Sequence, residues 1–386
     1  MAATDRPWAS LPSDLADTMR PVLPGLSDEI IGAIRTDVPE YARPFEGRFG
    51  ENVRTGVHFA LGRFLDLMEQ PDRDPGRARQ VYVELGRGEF KEGRSLDALL
   101  SAYRIGARIA WRRFVEAGKA AGVDPDVLYV LGEAIFAYIE GLSAESIEGY
   151  TAAQSLAAGE RASGRRRLVR LLAQDPPAEE PVVRAAAERV GWRLPAQVAA
   201  LVTSGQDADA LSSRLGAGAV AAEVDGELIV FVADPDAPRR QAEIAAALGD
   251  RPAAIGPSAG WQDAAASVAR ARLAHRLLEA GLLNGPLAIC ADHHTTLLLH
   301  TDPRLAGDLA SRALAPLGEL GPGPREKLSA TLRAWLDHQG RLDPVAAELG
   351  VHVQTVRYRV NQLRELFGPE LEDPERRLAL ALALRV

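Results

Sequence analysis

The stretch LDPVAAELGVHVQTVRYRVNQL, Leu342 to Leu363, constrains this chain more than any other, because its spacing predicts two short helices joined by a glycine turn. Asp343 before Pro344 marks a helix start: a carboxylate can cap free N–H groups, and proline at the first helical position loses no hydrogen bond. Val345 and Leu349 share a face at a spacing of four, Ala346 lets a second helix cross close by, and Gly350 supplies the turn. The next helix opens near His352. In it Val353, Val356, Val360, Leu363 and Phe367 recur at steps of three and four, the buried stripe of an amphipathic helix. The opposite face gathers Gln354, Arg357, Tyr358 and Asn361, with His352, Thr355 and Arg359 on its flanks. Gln and Asn can pair with adenine edges, Arg with guanine, and Thr, Tyr and the helix N-terminus with phosphates. These seven residues are therefore the candidate DNA-contacting set, on a recognition helix. The plainer alternative is a helical hairpin whose polar face is merely solvated. Capped start, Ala-to-Gly spacing, tight turn and segregated faces together favour the DNA reading. A preceding helix, Arg325 to His338, turns Leu328, Leu332, Trp335 and Leu336 inward and completes a three-helix unit.

From about Leu328 the chain resembles the C-terminal helix-turn-helix domain of the PucR/CdaR family of bacterial transcription regulators. TLRAWL, AAELGVH, TVRYRV and the tail LFGPELEDPERRLALALAL carry the likeness. The resemblance implies DNA binding at promoters under the control of an upstream sensor. The tail holds Leu378, Leu380, Leu382 and Leu384 among alanines, too apolar to stand in water. It is expected to be a helix packed on the reader, although the alternation alone also permits a strand.

At 386 residues the chain is long enough for two or three domains. Its one cysteine, Cys290, excludes an intrachain disulfide framework and suits a reducing, cytoplasmic compartment. MAATDRPWASLPSD has neither the basic nor the apolar region of a signal peptide, and no uninterrupted apolar stretch is expected to span a bilayer. A net charge of -8 argues against nonspecific coating of nucleic acid, so DNA contact must use a local patch. The C-terminal segment supplies one: Arg325, Lys327, Arg333, Arg341, Arg357, Arg359 and Arg364 outnumber Glu326, Asp337, Asp343 and Glu348. So modest a surplus implies weak binding by a monomer, and a homodimer or higher homo-oligomer reading paired half-sites on double-stranded DNA would compensate.

The region from Pro12 to about Gln174 reads as helical, with segments Leu26 to Thr36, Val53 to Gln70, Gly76 to Glu89, Ser95 to Ala121 and Pro125 to Gly149. In the fourth, Leu96, Leu99, Leu100, Tyr103, Ile109, Ala110, Trp111 and Phe114 make a broad apolar band suited to a bundle interior. DVPEYARPFEGRFGENVRTGVHFALGRFL and GRGEFKEGRSLDALLSAYRIGARIAWRRF resemble the N-terminal domain of RsbR-type co-antagonists of stress signalling, which implies an input role, sensory or protein-binding. His58 stands without a second ligand at a recognisable spacing, so no haem or metal is expected there. Arg104, Arg108, Arg112 and Arg113 could meet an anion or be a solvated face. Leu142 to Leu172 is expected to continue as a long helix able to pair with a second copy. Its basic run, Arg165, Arg166, Arg167 and Arg170, reads as a solvated or inter-subunit salt-bridge face before a hinge at Pro176 and Pro177, or as a contact to DNA backbone.

From Val182 to about Leu299 helices and strands alternate around a hairpin, AVAAEVDGELIVFVAD, whose Asp225-Gly226 pair signals a type I′ turn. This predicts an α+β or α/β domain. It resembles the degenerate GGDEF-like domain of the same family, related to nucleotide cyclases. VDGELIV lacks the paired glycines of an active cyclase, and no metal-binding carboxylates on two strands are evident, so catalysis is not expected. CADHH, Cys290 to His294, with His300, lacks zinc-like spacing and reads as a strand edge or loop. No Walker loop, G-x-S-x-G elbow or H-E-x-x-H helix is present.

The expected protein is therefore multidomain: an all-α N-terminal bundle over 11–174, an α+β cyclase-like domain over 182–300 and an all-α helix-turn-helix domain over 303–386. It is read as a non-enzymatic, sequence-specific transcription regulator without a cofactor or metal, responding to a small-molecule effector or another signal. Two rivals remain. One is a signalling adaptor whose helical domain binds a regulatory protein; the other is a nucleotide-handling enzyme using the middle domain.

Overall fold

The computed structural model describes residues 6–42, 47–71, 76–205 and 207–386, with the side chains of 47–52 and 76–78 left aside. Residues 43–46 of the DVPEYARPFEGRFGENVR stretch lie outside that description. The chain divides into two compact units, Met1–Glu160 and Arg161–Val386.

The first unit is helical: α1 (Leu15–Met19), α2 (Leu23–Asp37), α3 (Gly47–Glu69), α4 (Gly76–Lys91), α5 (Leu96–Ala120) and the first part of α6 (Pro125–Leu172). The five helical segments read from the sequence are all present, most of them a few residues longer than expected. Ser95 starts α5 as a capping hydroxyl, accepting from the Ala98 N–H at 3.2 Å, while the Glu40 carboxylate accepts from Ser95 Oγ at 2.9 Å. The predicted stripe of α5 is buried at Leu99, Ile109, Ala110 and Phe114, and α6 answers with Leu131, Ala134, Ile135, Tyr138 and Leu142. Phe64 of α3 stacks on Phe114 at 6.3 Å and tilts against Tyr138 at 5.3 Å, tying three helices at one centre. α4 and α6 cross at glycines. A Cβ on Gly86 would overlap the Ser146 carbonyl, and one on Gly149 the Val83 carbonyl.

One expectation changes here. α6 runs unbroken for 48 residues, and among the described residues it is the one helix long and apolar enough to cross a membrane by length and composition. The sequence reading found no such stretch because Glu133 and Glu140 interrupt it; they leave one helical face apolar. That face belongs to the bundle core, and 39% of the apolar window is buried. Arg108 and Arg113 of α5 are exposed, as a solvated face would be, and form surface ion pairs with Asp37 at 4.0 Å and Glu29 at 2.7 Å.

The second unit begins with the end of α6 and α7 (Glu180–Arg189). A sheet follows, built from β1 (Gln197–Thr203), β2 (Ala219–Val224), β3 (Glu227–Ala233), β4 (Ala253–Ile255), β5 (Ala259–Gly260) and β6 (Leu287–Ile289), with α8 (Ala208–Leu215), α9 (Arg240–Leu248) and α10 (Ala264–Glu279) between strands. The strand order is β2-β3-β1-β4-β6, with β5 beside β1. β1 is antiparallel to β3 and β4, β2 is antiparallel to β3, and β6 is parallel to β4. The order and directions of β1 to β4 are those of a split β-α-β-β-α-β unit. Its strands read as unbroken apolar runs because both faces are covered. Ala200, Ile229 and Phe231 face α10 and the end of α6, whereas Leu201, Leu228 and Val230 face α8 and α9. Asp225 and Gly226 both have positive φ, 54° and 84°, as the expected type I′ turn requires. The two-residue β5 is too short to leave a periodic signal.

Three of the four arginines of the basic run on α6 meet acceptors within this unit. Arg165 pairs with Asp209, Arg166 donates to the Glu223 carbonyl at 3.1 Å, and Arg170 lies 3.7 Å from Asp225.

The chain then continues through α11 (His294–Thr301), α12 (Pro303–Ala313), α13 (Ala315–Gly318), α14 (Pro322–Asp337), α15 (Leu342–Leu349), α16 (Val353–Phe367) and α17 (Pro374–Ala383). The fold class is as expected: helical, then mixed sheet with helices, then helical.

Candidate nucleic-acid interface

α14, α15 and α16 share one core, in which Leu332, Trp335, Val345, Val356, Val360, Leu363 and Phe367 are all buried. α15 differs from expectation at its start. It opens at Leu342 with Arg341 as the cap residue, and Asp343 makes no capping hydrogen bond. Pro344 is therefore the third helical residue, which is tolerated because the first four N–H groups of a helix have no internal partner. α14 opens at Pro322, before the expected Arg325, and proline again occupies its first turn.

The turn is built as the sequence implies. Gly350 closes α15 in the left-handed conformation, φ 63° and ψ 32°, and the Val351 N–H returns to the Ala346 carbonyl at 3.0 Å. His352 then caps α16, its Nδ1 accepting from the Gln354 N–H at 3.2 Å. Three residues thus reverse the chain, and the buried stripe of α16 fixes which side faces out. Gln354, Arg357, Tyr358 and Asn361 are exposed together on that side, Tyr358 to 64%. The Tyr358 ring stays outside the buried core, and Gln362 Nε2 donates to its hydroxyl at 3.3 Å.

The flanking candidates fare differently. His352 is exposed but engaged as a cap, and Thr355 is half-buried. Arg359 is half-buried too, and its Nη1 donates to Thr331 Oγ1 of α14 at 3.4 Å. It stands apart from the four outward residues and acts as a strut between helices. Arg364 lies 3.5 Å from Glu372 at the far end of α16.

The tail is a helix, as preferred from the sequence. Asp373 caps α17 by accepting from the Arg376 N–H at 2.8 Å. Leu380 and Ala383 are buried, while Leu378 is 60% exposed. A contribution that sequence alone did not reveal comes from cations on α17 and just after it: Arg377 lies over the Trp335 ring at 4.8 Å, and Arg385 pairs with Asp337. The contacts span 42 and 48 residues, so no local pattern announces them.

The other candidate chemistry does not converge. No group of three or more His, Cys, Asp or Glu able to hold a metal occurs among the described residues. Cys290 is buried and its thiol is pushed up to about 11 by desolvation, so it is protonated at neutral pH rather than a thiolate ligand. His300 Nδ1 bonds the Thr296 carbonyl at 2.8 Å, and His58 Nδ1 the Arg54 carbonyl at 2.9 Å, both within their own helices. The hairpin carboxylates Asp225 and Glu227 are paired with Arg170 and Arg272, at 3.7 and 2.6 Å.

Comparison with known proteins agrees with this layout. Residues 8–173 match the PucR-like N-terminal domain, and residues 328–386 match the PucR C-terminal helix-turn-helix domain. An uncharacterised protein of the pkwA 5′ region of Thermomonospora curvata is 42% identical over 87 residues, 22% of this chain; the match spans about half of that relative, 47% of its length. An uncharacterised protein of Mycobacterium tuberculosis is 24% identical over 414 aligned positions, covering 98% of this chain and 93% of its own. Among solved structures, a regulator of polyketide synthase expression from Bifidobacterium adolescentis aligns with 58% of this chain and 96% of its own, at 18% identity and a TM-score of 0.31, a likeness too slight to bear on function. With the N-terminal and C-terminal matches together covering more than half of its length, the chain belongs to the PucR family of helix-turn-helix regulators.

Proposed function

We propose that this protein is a sequence-specific transcription regulator that reads DNA with α16. One observation carries the reading: Gln354, Arg357, Tyr358 and Asn361 project together from a helix whose other side is wholly committed to the core. In the major groove Arg357 can donate two hydrogen bonds to guanine, and Gln354 and Asn361 can each serve adenine. Tyr358 and the N-terminus of α16 suit phosphate. His352 and Thr355 border that end of the helix and support its approach to the backbone, while Arg359 acts through Thr331.

Three functional parts are proposed, near 11–174, 182–300 and 303–386, with the middle read as a GGDEF-like domain that has lost its chemistry. The split β-α-β-β-α-β order supports the kinship. The hairpin sequence VDGELIV, its carboxylates held by arginines, speaks against nucleotide turnover. A homodimer placing two copies of α16 on paired half-sites would raise the affinity of a patch with little net charge. The exposed stretch of α6 near Leu156, itself 66% exposed, is the candidate pairing surface. A signal then needs only to favour one spacing of the two reading helices over another.

Genome-wide mapping of DNA bound by the purified protein tests this, with the Arg357→Ala/Tyr358→Ala double variant as control. The expected result is a few sharp paired half-sites that the control loses. Binding that is identical in the control would overturn the assignment of the reading face. A stable complex with another protein, formed without DNA, would favour the adaptor.

A further inference from the structure

The outer face of the α5/α6 pair carries three bands in a fixed order. The two helices run side by side and antiparallel: a Cβ on Gly118 would lie 2.7 Å from Leu128, one on Gly132 would lie 3.0 Å from the Trp111 ring, and the Tyr103 hydroxyl is 2.8 Å from Ser146 Oγ. A helix turns by about 100° per residue. Outward from the Trp111–Gly132 contact, α5 therefore presents Arg104, Arg108 and Arg112, and α6 presents Phe136, Tyr129, Glu140 and Glu133. All of these are exposed, Tyr129 to 72% and Phe136 to 64%. Because the helices are antiparallel, both sequences turn toward the same side, and the order across the face is basic, aromatic, acidic.

The same contacts set the levels along the pair. Arg112 stands level with Glu133, and Arg104 lies within about one helical turn of Glu140. These charges are unanswered within the chain. Arg112, Glu133 and Glu140 form no ion pair among the described residues, and Arg104 donates only to Ser101 Oγ, at 2.7 Å. Two large rings standing in water between unpaired charges of opposite sign mark an interaction surface.

We propose that this face docks on the same face of a second copy of the chain, about a two-fold axis running along the helices. Such an axis exchanges the two sides of the face and preserves the levels. Arg112 of each copy then meets Glu133 of the other, and Arg104 meets Glu140, around a centre formed by Tyr129 and Phe136. A two-fold axis across the helices would instead lay basic on basic and acidic on acidic, so the charge order selects the parallel arrangement. An anionic lipid surface is a poor match, because Glu133 and Glu140 share the face with the arginines. The proposal deepens the homodimer reading above, and its bearing on DNA rests on that reading.

The test is sedimentation velocity of the full chain over a series of concentrations. The native chain should dimerise. Arg112→Glu and Glu133→Arg should each weaken pairing by at least about tenfold, since each sets like charges together at two symmetry-related places. Mixed in equal amounts, the two single variants should pair with each other about as tightly as the native chain pairs with itself, because every introduced charge then meets its opposite. Both positions are exposed, so neither change disturbs the core. Undiminished pairing of each single variant, or no recovery in the mixture, would overturn the surface. If those variants pair as the native chain does while Leu156→Asp dissociates the dimer, the homodimer reading stands without this face. A native chain that stays monomeric at every concentration removes both, and its cosedimentation with phosphatidylcholine vesicles would give the face to a membrane instead.

Discussion

Gly141 and Gly149 lie eight residues apart on the same helix and should respond to the same substitution with opposite signs. Alanine at Gly149 would drive its Cβ into the Val83 carbonyl, and backbone cannot yield as a side chain can. Gly149→Ala should destabilise the first unit by about 3 kcal/mol, at the upper end of overpacking costs. Gly141 is exposed with nothing near its missing Cβ, so Gly141→Ala should stabilise by up to about 1 kcal/mol through helix propensity. Denaturant unfolding of the two variants checks both signs. On α16 the corresponding contrast is between reading and bracing. Arg357→Ala should cost about 1–3 kcal/mol in discrimination between cognate and mutated sites. Arg359→Ala should weaken all sequences alike and lower the melting temperature, because it removes the bond to Thr331. Competition binding on a panel of single-base variants tells them apart.

At the scale of elements, the reversal from α15 to α16 depends on one backbone conformation. Gly350 has φ 63°, where a β-branched side chain is strained. Gly350→Val should cost roughly 1–2 kcal/mol or more and disturb the reading helix before it disturbs α14. α17 depends on its cap, and Asp373→Ala should cost about 1 kcal/mol. That loss should also free Arg377 from Trp335, visible as a change in Trp335 fluorescence. The helix boundaries were legible to within a few residues wherever apolar periodicity was strong. Asp343 illustrates the limit: Asp-Pro reads as a cap and first position, yet the helix starts earlier because Leu342 packs against the three-helix core.

Across the whole molecule, the buried tyrosines of the first unit set an alkaline limit. Desolvation pushes Tyr82 from 10.0 up to about 12 and raises Tyr41, Tyr103 and Tyr138 as well. Above pH 10 the unfolded chain releases these protons while the folded one keeps them, so the unfolded state binds fewer protons and stability falls with rising pH. The contribution is complete below pH 10 and is lost through about pH 12; Tyr82 alone accounts for a loss on the order of 3 kcal/mol. Unfolding followed at 25 °C from pH 8 to 12 should show a flat region and then a decline beginning near pH 10. Tyr82→Phe should make that decline shallower.

The sequence by itself determined the order of helical, mixed and helical regions, the glycine turn, the type I′ hairpin and the outward face of α16. Each is written in a local period or in a residue with restricted or permissive backbone, and those act within a few positions of chain. The tertiary structure decided the rest. It joined Arg359 to Thr331 of α14, brought Arg165, Arg166 and Arg170 of α6 to Asp209, Glu223 and Asp225, and laid Arg377 on Trp335. It also brought residues of five helices, α2 to α6, around one hollow of the first unit. Charge pairing and packing volume are properties of residues brought together only by folding, and no periodicity along the chain records them.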